Sequence, residues 1–337
     1  MRRRDLLAGS AAASAAGCSP YVQRLGEPGR DFPGPRLETD ALVSFDGAHL
    51  PMRVWRPAGA PWAVLVALHG MNDHSMAFHL AGPWWAERGV LTYAYDQRGF
   101  GRAGQRGVWG GEAAMADDLR TACALVRARH PGAVLGVIGE SMGGAVAVAA
   151  STTPGRPAPD LDRLILSSPA VWGWGGQPPP QALMLWTMAH TLPGYRLVTP
   201  AWLARKYHAT DNIEELRRMG RDRDMIFETR VDATYGLMNL MQTARARIGF
   251  TPHPERTLML YGAHDDLVPK PSAFVAAERL RRAGGRTAYY PDGFHLLTRD
   301  LHRERVLADV LSFLRDPAAP LPSAPAAIPP RSSLRRG

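Results

Sequence analysis

The chain predicts an α/β fold: a mostly parallel, eight-stranded sheet with flanking helices and an inserted helical cap. Three observations predict it. Short apolar runs without alternation, as in strands buried on both faces, recur between longer helical patterns. That strand–helix rhythm stops near Ala170 and resumes near Thr257. Before the break, Val134-Leu-Gly-Val-Ile-Gly-Glu-Ser-Met-Gly-Gly-Ala-Val-Ala-Val-Ala-Ala150 reads as strand, tight turn and helix.

The length, 337 residues, suffices for one large domain with an insertion. The formal charge is +9, spread mainly as isolated arginines, and Lys206 and Lys270 are the only lysines. A nucleic-acid binder would carry a basic stripe interleaved with aromatics, and none is present. No run is long and apolar enough to span a membrane as a mature helix.

Residues 1–18 read as an export signal. Arg2-Arg3-Arg4 is a charged start and Leu6–Gly17 a short run of small and apolar residues. Arg3-Arg4-Asp5-Leu6-Leu7 resembles a bacterial twin-arginine signal. Ala15-Ala16-Gly17-Cys18 resembles a lipobox, in which Cys18 becomes lipid-modified, although Ala15 stands where Leu is usual. These features imply export to the bacterial cell envelope with lipid attachment at a periplasm-facing membrane, simple cleavage or an uncleaved anchor being the alternatives. Cys123 lies in a helical pattern and reads as a small buried residue, with no disulfide.

Residues 19–40, rich in Pro, Gly and Arg, read as an extended linker. The core follows in two pieces, 41–170 and 251–315. Ala41–Phe45 and Met52–Trp55 form a hairpin across Asp46-Gly47. Trp62–Leu68 is a buried strand running into His69-Gly70-Met71-Asn72-Asp73-His74-Ser75. His69 and His74 read as residues that shape this loop by bonding to backbone. Val90–Tyr95 is a strand ending in Asp96-Gln97-Arg98, read as a loop pinned by an Asp96–Arg98 ion pair. Glu112–His130 is a helix and Leu164–Ser167 the next strand.

Residues 171–250 form the cap, with helices over Ala182–Leu192, Ile213–Met219 and Tyr235–Ala246. Its candidate acyl-chain contacts are Trp172, Trp174, Trp186 and Met238, with Met184, Met188 and Met241 beside them. Thr257–Tyr261 restores the rhythm, followed by Gly262-Ala263-His264-Asp265-Asp266, a helix over Pro271–Ala283 and a last strand, Thr287–Tyr290. Phe294-His295 comes next, then a helix over Leu301–Leu314. Residues 316–337, rich in Pro, Ala, Ser and Arg, read as a disordered tail.

The turn Gly139-Glu140-Ser141-Met142-Gly143 is G-x-S-x-G in the setting of a nucleophile elbow. Gly139 and Gly143 leave room for Ser141 in a strained conformation. The Met142 N–H, at a helix start, is unpaired and can face a developing oxyanion, and the Met71 N–H is a second donor. An acid after a later strand and a His after the last strand complete the order Ser…Asp…His. Asp266 adjoins Asp265, and His264 and His302 lie near His295, so spacing alone leaves neighbours open.

These motifs, His69–Ser75, Asp96-Gln97-Arg98-Gly99-Phe100-Gly101, Gly139–Gly144, Gly262-Ala263-His264-Asp265 with Val268-Pro269, and Phe294-His295, resemble the α/β-hydrolase family. More closely, they resemble its monoacylglycerol lipase and lysophospholipase branch, also labelled serine aminopeptidase-like. The resemblance covers about Ala41 to Leu314. It implies Ser141 as nucleophile, Asp265 as acid, His295 as base, and Met71 and Met142 as oxyanion donors, with no cofactor or metal. It implies cleavage of a lipid carboxylic ester, a monoacylglycerol or lysophospholipid, through an acyl-enzyme. The rival readings are a peptidase, thioesterase or acyltransferase on the same fold, or a non-catalytic lipid-binding protein. Acyl length, head group and oligomeric state are not readable.

Overall fold

The computed structural model describes residues 19–198 and 207–335. The segment read as an export signal, including Cys18, lies outside the described residues. One sheet of nine strands runs through the molecule: β1 (Arg36–Leu37), β2 (Ala41–Val43), β3 (His49–Trp55), β4 (Ala63–Leu68), β5 (Val90–Tyr95), β6 (Val134–Glu140), β7 (Arg163–Ser167), β10 (Thr257–Gly262) and β11 (Arg286–Tyr290). Its spatial order is β1-β2-β3-β5-β4-β6-β7-β10-β11. The pairs from β5 to β11 are parallel, and those among β1, β2, β3 and β5 are antiparallel.

The interior strands are apolar throughout because both faces are covered. Along β4, Val64, Val66 and Leu68 enter one core, while Ala63, Leu65 and Ala67 enter the other. The first core holds residues of α2 (Glu112–Arg129), α3 (Met142–Thr152) and α7 (Lys270–Arg282). The second holds those of α1 (Ala81–Ala86) and α8 (Arg303–Arg315). The turns after β6, β10 and β11 all leave from the carboxyl edge of the parallel strands, where α/β proteins gather their sites.

The cap comprises α4 (Pro179–Thr191), α5 (Ile213–Arg221) and α6 (Val231–Arg247). It also holds a two-stranded ribbon, β8 (Arg196–Val198) against β9 (Glu228–Arg230), which has no apolar alternation to announce it. The long helix α6 packs against α3 and so roofs the elbow.

Three expectations need correction. The ninth strand, β1, lies in the segment read as linker, and the rest of that segment is tied to the core by Gln23 N–H to Trp109 O (2.9 Å) and Gly26 N–H to an Asp46 carboxylate oxygen (2.9 Å). The tail is not disordered over its described residues. Leu321 and Ile328 are buried, and Tyr289 bridges Ala326. Ser323 donates from its backbone to Asp309 (2.9 Å), and Arg281 donates to Ile328 O (2.5 Å). Two apolar residues suffice to seat a segment whose own composition builds no core. Finally, Asp96 and Arg98 do not pair. Arg98 forks onto Asp46 (2.7 and 2.8 Å) and Asp118 (2.6 and 2.7 Å), while Asp96 accepts the backbone N–H groups of Ser75 (2.8 Å) and Arg102 (2.9 Å).

Candidate active site

Ser141 sits between β6 and α3 with φ 53° and ψ −114°. Its N–H donates to Ser167 O (3.0 Å), and its carbonyl accepts from Ala145 (3.2 Å) and Ala170 (2.9 Å). Surrounding bonds therefore hold the positive φ that a serine alone avoids. A Cβ on Gly143 would lie 2.3 Å from Leu68 O, and one on Gly139 would lie 2.5 Å from the Gly143 carbonyl. That crowding is why both positions are glycine. Gly70 brings the loop after β4 against the serine, where a Cβ would lie 3.3 Å from the Ser141 Cβ. Neither the Met71 nor the Met142 N–H has an acceptor among the described residues. Both are free to hold a developing negative oxygen.

Asp265 and His295 meet under this turn. Asp265 Oδ2 faces His295 Nδ1 at 2.8 Å. Asp265 Oδ1 accepts the backbone N–H groups of Leu267 and Val268, each at 2.9 Å. With Nδ1–H donating to the carboxylate, the His295 Nε2 lone pair is left able to accept a proton. Burial pushes the imidazole pKa down, but the Asp265 charge and hydrogen bond outweigh it, and the pKa rises above the ordinary histidine value. The neighbouring candidates fall elsewhere. Asp266 and His302 are exposed, and His264 stacks on Phe294. No hydrogen bond joins the Ser141 and His295 side chains among the described residues. Such contacts tighten when substrate binds.

Ser141 and His295 open into a cavity of about 550 Å³. Its walls are apolar and rich in methionine, and among the described residues no arginine or lysine lines it. Trp172 and Met238 are in the wall, with Met184 and Met241. Trp174, Trp186 and Met188 are not. Trp174 packs its ring on Tyr235 and donates Nε1–H to Asn239 Oδ1 (2.8 Å), while Trp186 stacks on His190 at the surface. Helix periodicity marked these residues as apolar without showing which side of α4 and α6 would face inward. The wall is completed by residues the sequence did not single out, Leu185, Leu197, Met219, Met225 and Leu237.

The chain is similar to known proteins in both sequence and fold. The family described as "Serine aminopeptidase, S33" matches residues 59–302. The chain belongs to that family. It is an α/β-hydrolase of the branch that holds the monoacylglycerol lipases. A monoacylglycerol lipase of Mycolicibacterium smegmatis is 25% identical over 81% of this chain and 95% of its own length. The human monoglyceride lipase is 25% identical over 79% of this chain and 86% of its own. Among solved structures, the Paleococcus ferrophilus monoacylglycerol lipase superposes with a TM-score of 0.62 at 19% identity, covering 80% of this chain and 99% of its own. A soluble variant of the Saccharomyces cerevisiae monoglyceride lipase superposes with a TM-score of 0.68 at 16% identity, covering 88% of this chain and 100% of its own.

In this α/β-hydrolase the loop histidines are structural. His69 is buried, with Nδ1 bonded to Gly70 O (2.8 Å) and Nε2 accepting from Gln97 N (2.9 Å). Burial lowers its pKa, which keeps it neutral. His74 bonds the Asp222 carboxylate of the cap (3.0 Å), where a backbone partner was expected. His74, Asp222 and Asp224 bring three possible metal donors within 4.8 Å. Arg218, 2.9 Å from Asp222, and Arg102, 3.9 Å from Asp224, already meet those carboxylates with positive charge.

The sequence reading missed Arg299. Its guanidinium is fully buried beneath the elbow, 2.8 Å from Asp73 and bonded to Glu140. Glu215 of α5 lies 3.6 Å away. Burial works against the Asp73 carboxylate, but the Arg299 charge outweighs it and holds its pKa below the usual range. For Glu140 burial wins, and the pKa is raised. The one sequence signal was a pair of charged residues, Arg299 and Asp300, one residue beyond the apolar Leu296-Leu297. The partners lie far away in the chain.

Proposed function

We propose that the protein hydrolyses the carboxylic ester of a monoacylglycerol through a Ser141 acyl-enzyme. The observation that carries this reading is an apolar cavity lined by both Ser141 and His295, the latter paired with Asp265. A serine hydroxyl is a poor nucleophile until a base takes its proton. His295 Nε2 takes that proton as Oγ bonds to the ester carbon. The N–H groups of Met71 and Met142 hold the resulting oxyanion, each contributing about 3 kcal/mol. Collapse expels the glycerol oxygen, which takes the proton from His295. Water, deprotonated in turn by His295, then releases the fatty acid and restores Ser141. Asp265 fixes the tautomer and stabilises the imidazolium.

The wall chooses the head group. An acyl chain is matched by methionine and leucine, and a neutral glycerol needs no cation. The phosphate of a lysophospholipid would find no arginine or lysine to pair with among the described residues of the wall. The test is fatty-acid release by wild type and Ser141→Ala from monoacylglycerols, lysophosphatidylcholine and short acyl esters. We expect release from monoacylglycerols, abolished in the variant. Release that survives Ser141→Ala, or cleavage of peptides alone, would overturn the reading.

The twin-arginine-like start and Cys18 support export and lipid anchoring at the envelope. Cys18→Ser should move the protein from the membrane to the soluble fraction, and unchanged fractionation removes the anchor.

A further inference from the structure

Three parts of the site converge on the buried guanidinium of Arg299. We propose that Arg299 is a positioning residue that sets the oxyanion loop, the nucleophile turn and the cap against one another. The proposal rests on the reading of Ser141 as nucleophile.

The connections are short in both space and sequence. Asp73, 2.8 Å from Arg299 Nη1, is two residues from Met71, whose N–H is one proposed oxyanion donor. Glu140, bonded to Nη2, immediately precedes Ser141, and Met142 supplies the other donor. Arg299 itself is four residues beyond His295, and Thr298 Oγ1 adds a 3.4 Å bond to Glu140. On the cap side, Glu215 lies 3.6 Å from Nη1, and Met219, which lines the cavity, presents its sulfur at 3.7 Å. Arg299 thus reaches the loop, the turn and the cap together.

Backbone bonds secure the same seam. Leu296 N–H donates to Ala209 O (2.8 Å), Asn212 Nδ2 to Arg299 O (3.1 Å), and Leu301 N–H to an Asp211 carboxylate oxygen (2.8 Å). The loop that bears His295 is therefore bolted to the cap segment, and Arg299 carries that fixed point inward to Asp73 and Glu140.

Stability alone is a weak reason for this arrangement. Taking a guanidinium wholly out of water is costly, and buried ion pairs are often replaced by apolar residues without loss of stability. What the planar fork supplies is direction: one nitrogen for each carboxylate, at a fixed angle that an ammonium cannot reproduce. Two oxyanion donors on different loops need such a reference, because a misplacement of about 1 Å can cost about 100-fold in rate.

The test compares wild type, Arg299→Lys, Arg299→Met and the double variant Asp73→Asn with Arg299→Met. The double variant removes one charge of each sign and leaves Glu140, which burial already pushes toward its neutral form. Each protein is assayed for Tm, for kcat and KM on a short soluble ester, and for its labelling rate by a fluorophosphonate. The expected result is a loss of about 100-fold in kcat and labelling rate, with KM moved by less than about threefold, in every folded variant. The double variant should regain Tm yet remain slow. Recovery of labelling together with Tm would overturn the proposal, since Arg299 would then only neutralise charge. A folded Arg299→Lys that labels at the wild-type rate would overturn it too, as would failure of all three variants to fold. Wild type that does not label would sink the nucleophile reading itself, and that control separates the two failures.

Discussion

At the scale of single residues, the proposed chemistry turns on the Asp265 carboxylate beside His295. Burial alone would lower the His295 pKa, and the carboxylate 2.8 Å away raises it above the ordinary value. A base must be neutral to accept a proton, so kcat/KM should rise with pH through that raised pKa. Asp265→Asn removes the raising influence and leaves the burial. The expected outcome is a fall in kcat/KM of about 10⁴-fold, with the acid limb of the residual activity displaced to lower pH. A pH–rate profile of both proteins checks it, and an unmoved limb would mean that another group titrates. Ser141 stands out in the sequence by its glycine-flanked turn, whereas local pattern narrowed the acid and the histidine only to short stretches after apolar strands, and the family resemblance chose Asp265 and His295 among their neighbours. Arg299 and Arg98 resisted the same reading. Their carboxylate partners lie 20 to 226 positions away, and only folding reveals which acids a buried arginine meets.

At the scale of elements, the interior strands were readable because burial on both faces leaves an unbroken apolar run, as in Ala63–Leu68. Short edge elements lack that signal. Arg36–Leu37 offers two residues, and Arg196–Val198 is exposed along its length. The tail was misread for a related reason: its apolar side chains have no period. Leu321 and Ile328 nonetheless insert into the molecule, and Ser323 bonds Asp309 of α8. A stop codon after Asp316 should therefore destabilise the fold by about 3 kcal/mol, the worth of one or two buried aliphatic side chains. Urea unfolding of the truncated and full chains measures the difference, and equal midpoints with equal slopes would show that the tail contributes nothing.

For the molecule as a whole, the interruption near Ala170 announced an insertion, but the sequence could not orient it. The orientation follows from α6 lying on α3 and from the bonds that tie residues 209–212 to the loop after His295. Those long-range contacts decide which apolar side chains become wall and which become surface, so Met238 faces the cavity while Trp186 stacks outside. Among the described residues no helix is long and apolar enough to cross a membrane.

Six methionines stand in the cavity wall: Met71, Met184, Met219, Met225, Met238 and Met241. Their flexible thioethers let one wall adapt to chains of different length and bend. They also make the enzyme perishable. Met184 is 58% exposed, so hydrogen peroxide should reach it early and turn an apolar contact into a polar sulfoxide. Oxidative ageing should erode turnover of long-chain esters before that of short ones, and methionine sulfoxide reductases should reverse the loss. Following both substrates alongside intact mass during peroxide treatment would show it, and parallel decay of the two activities would place the damage elsewhere.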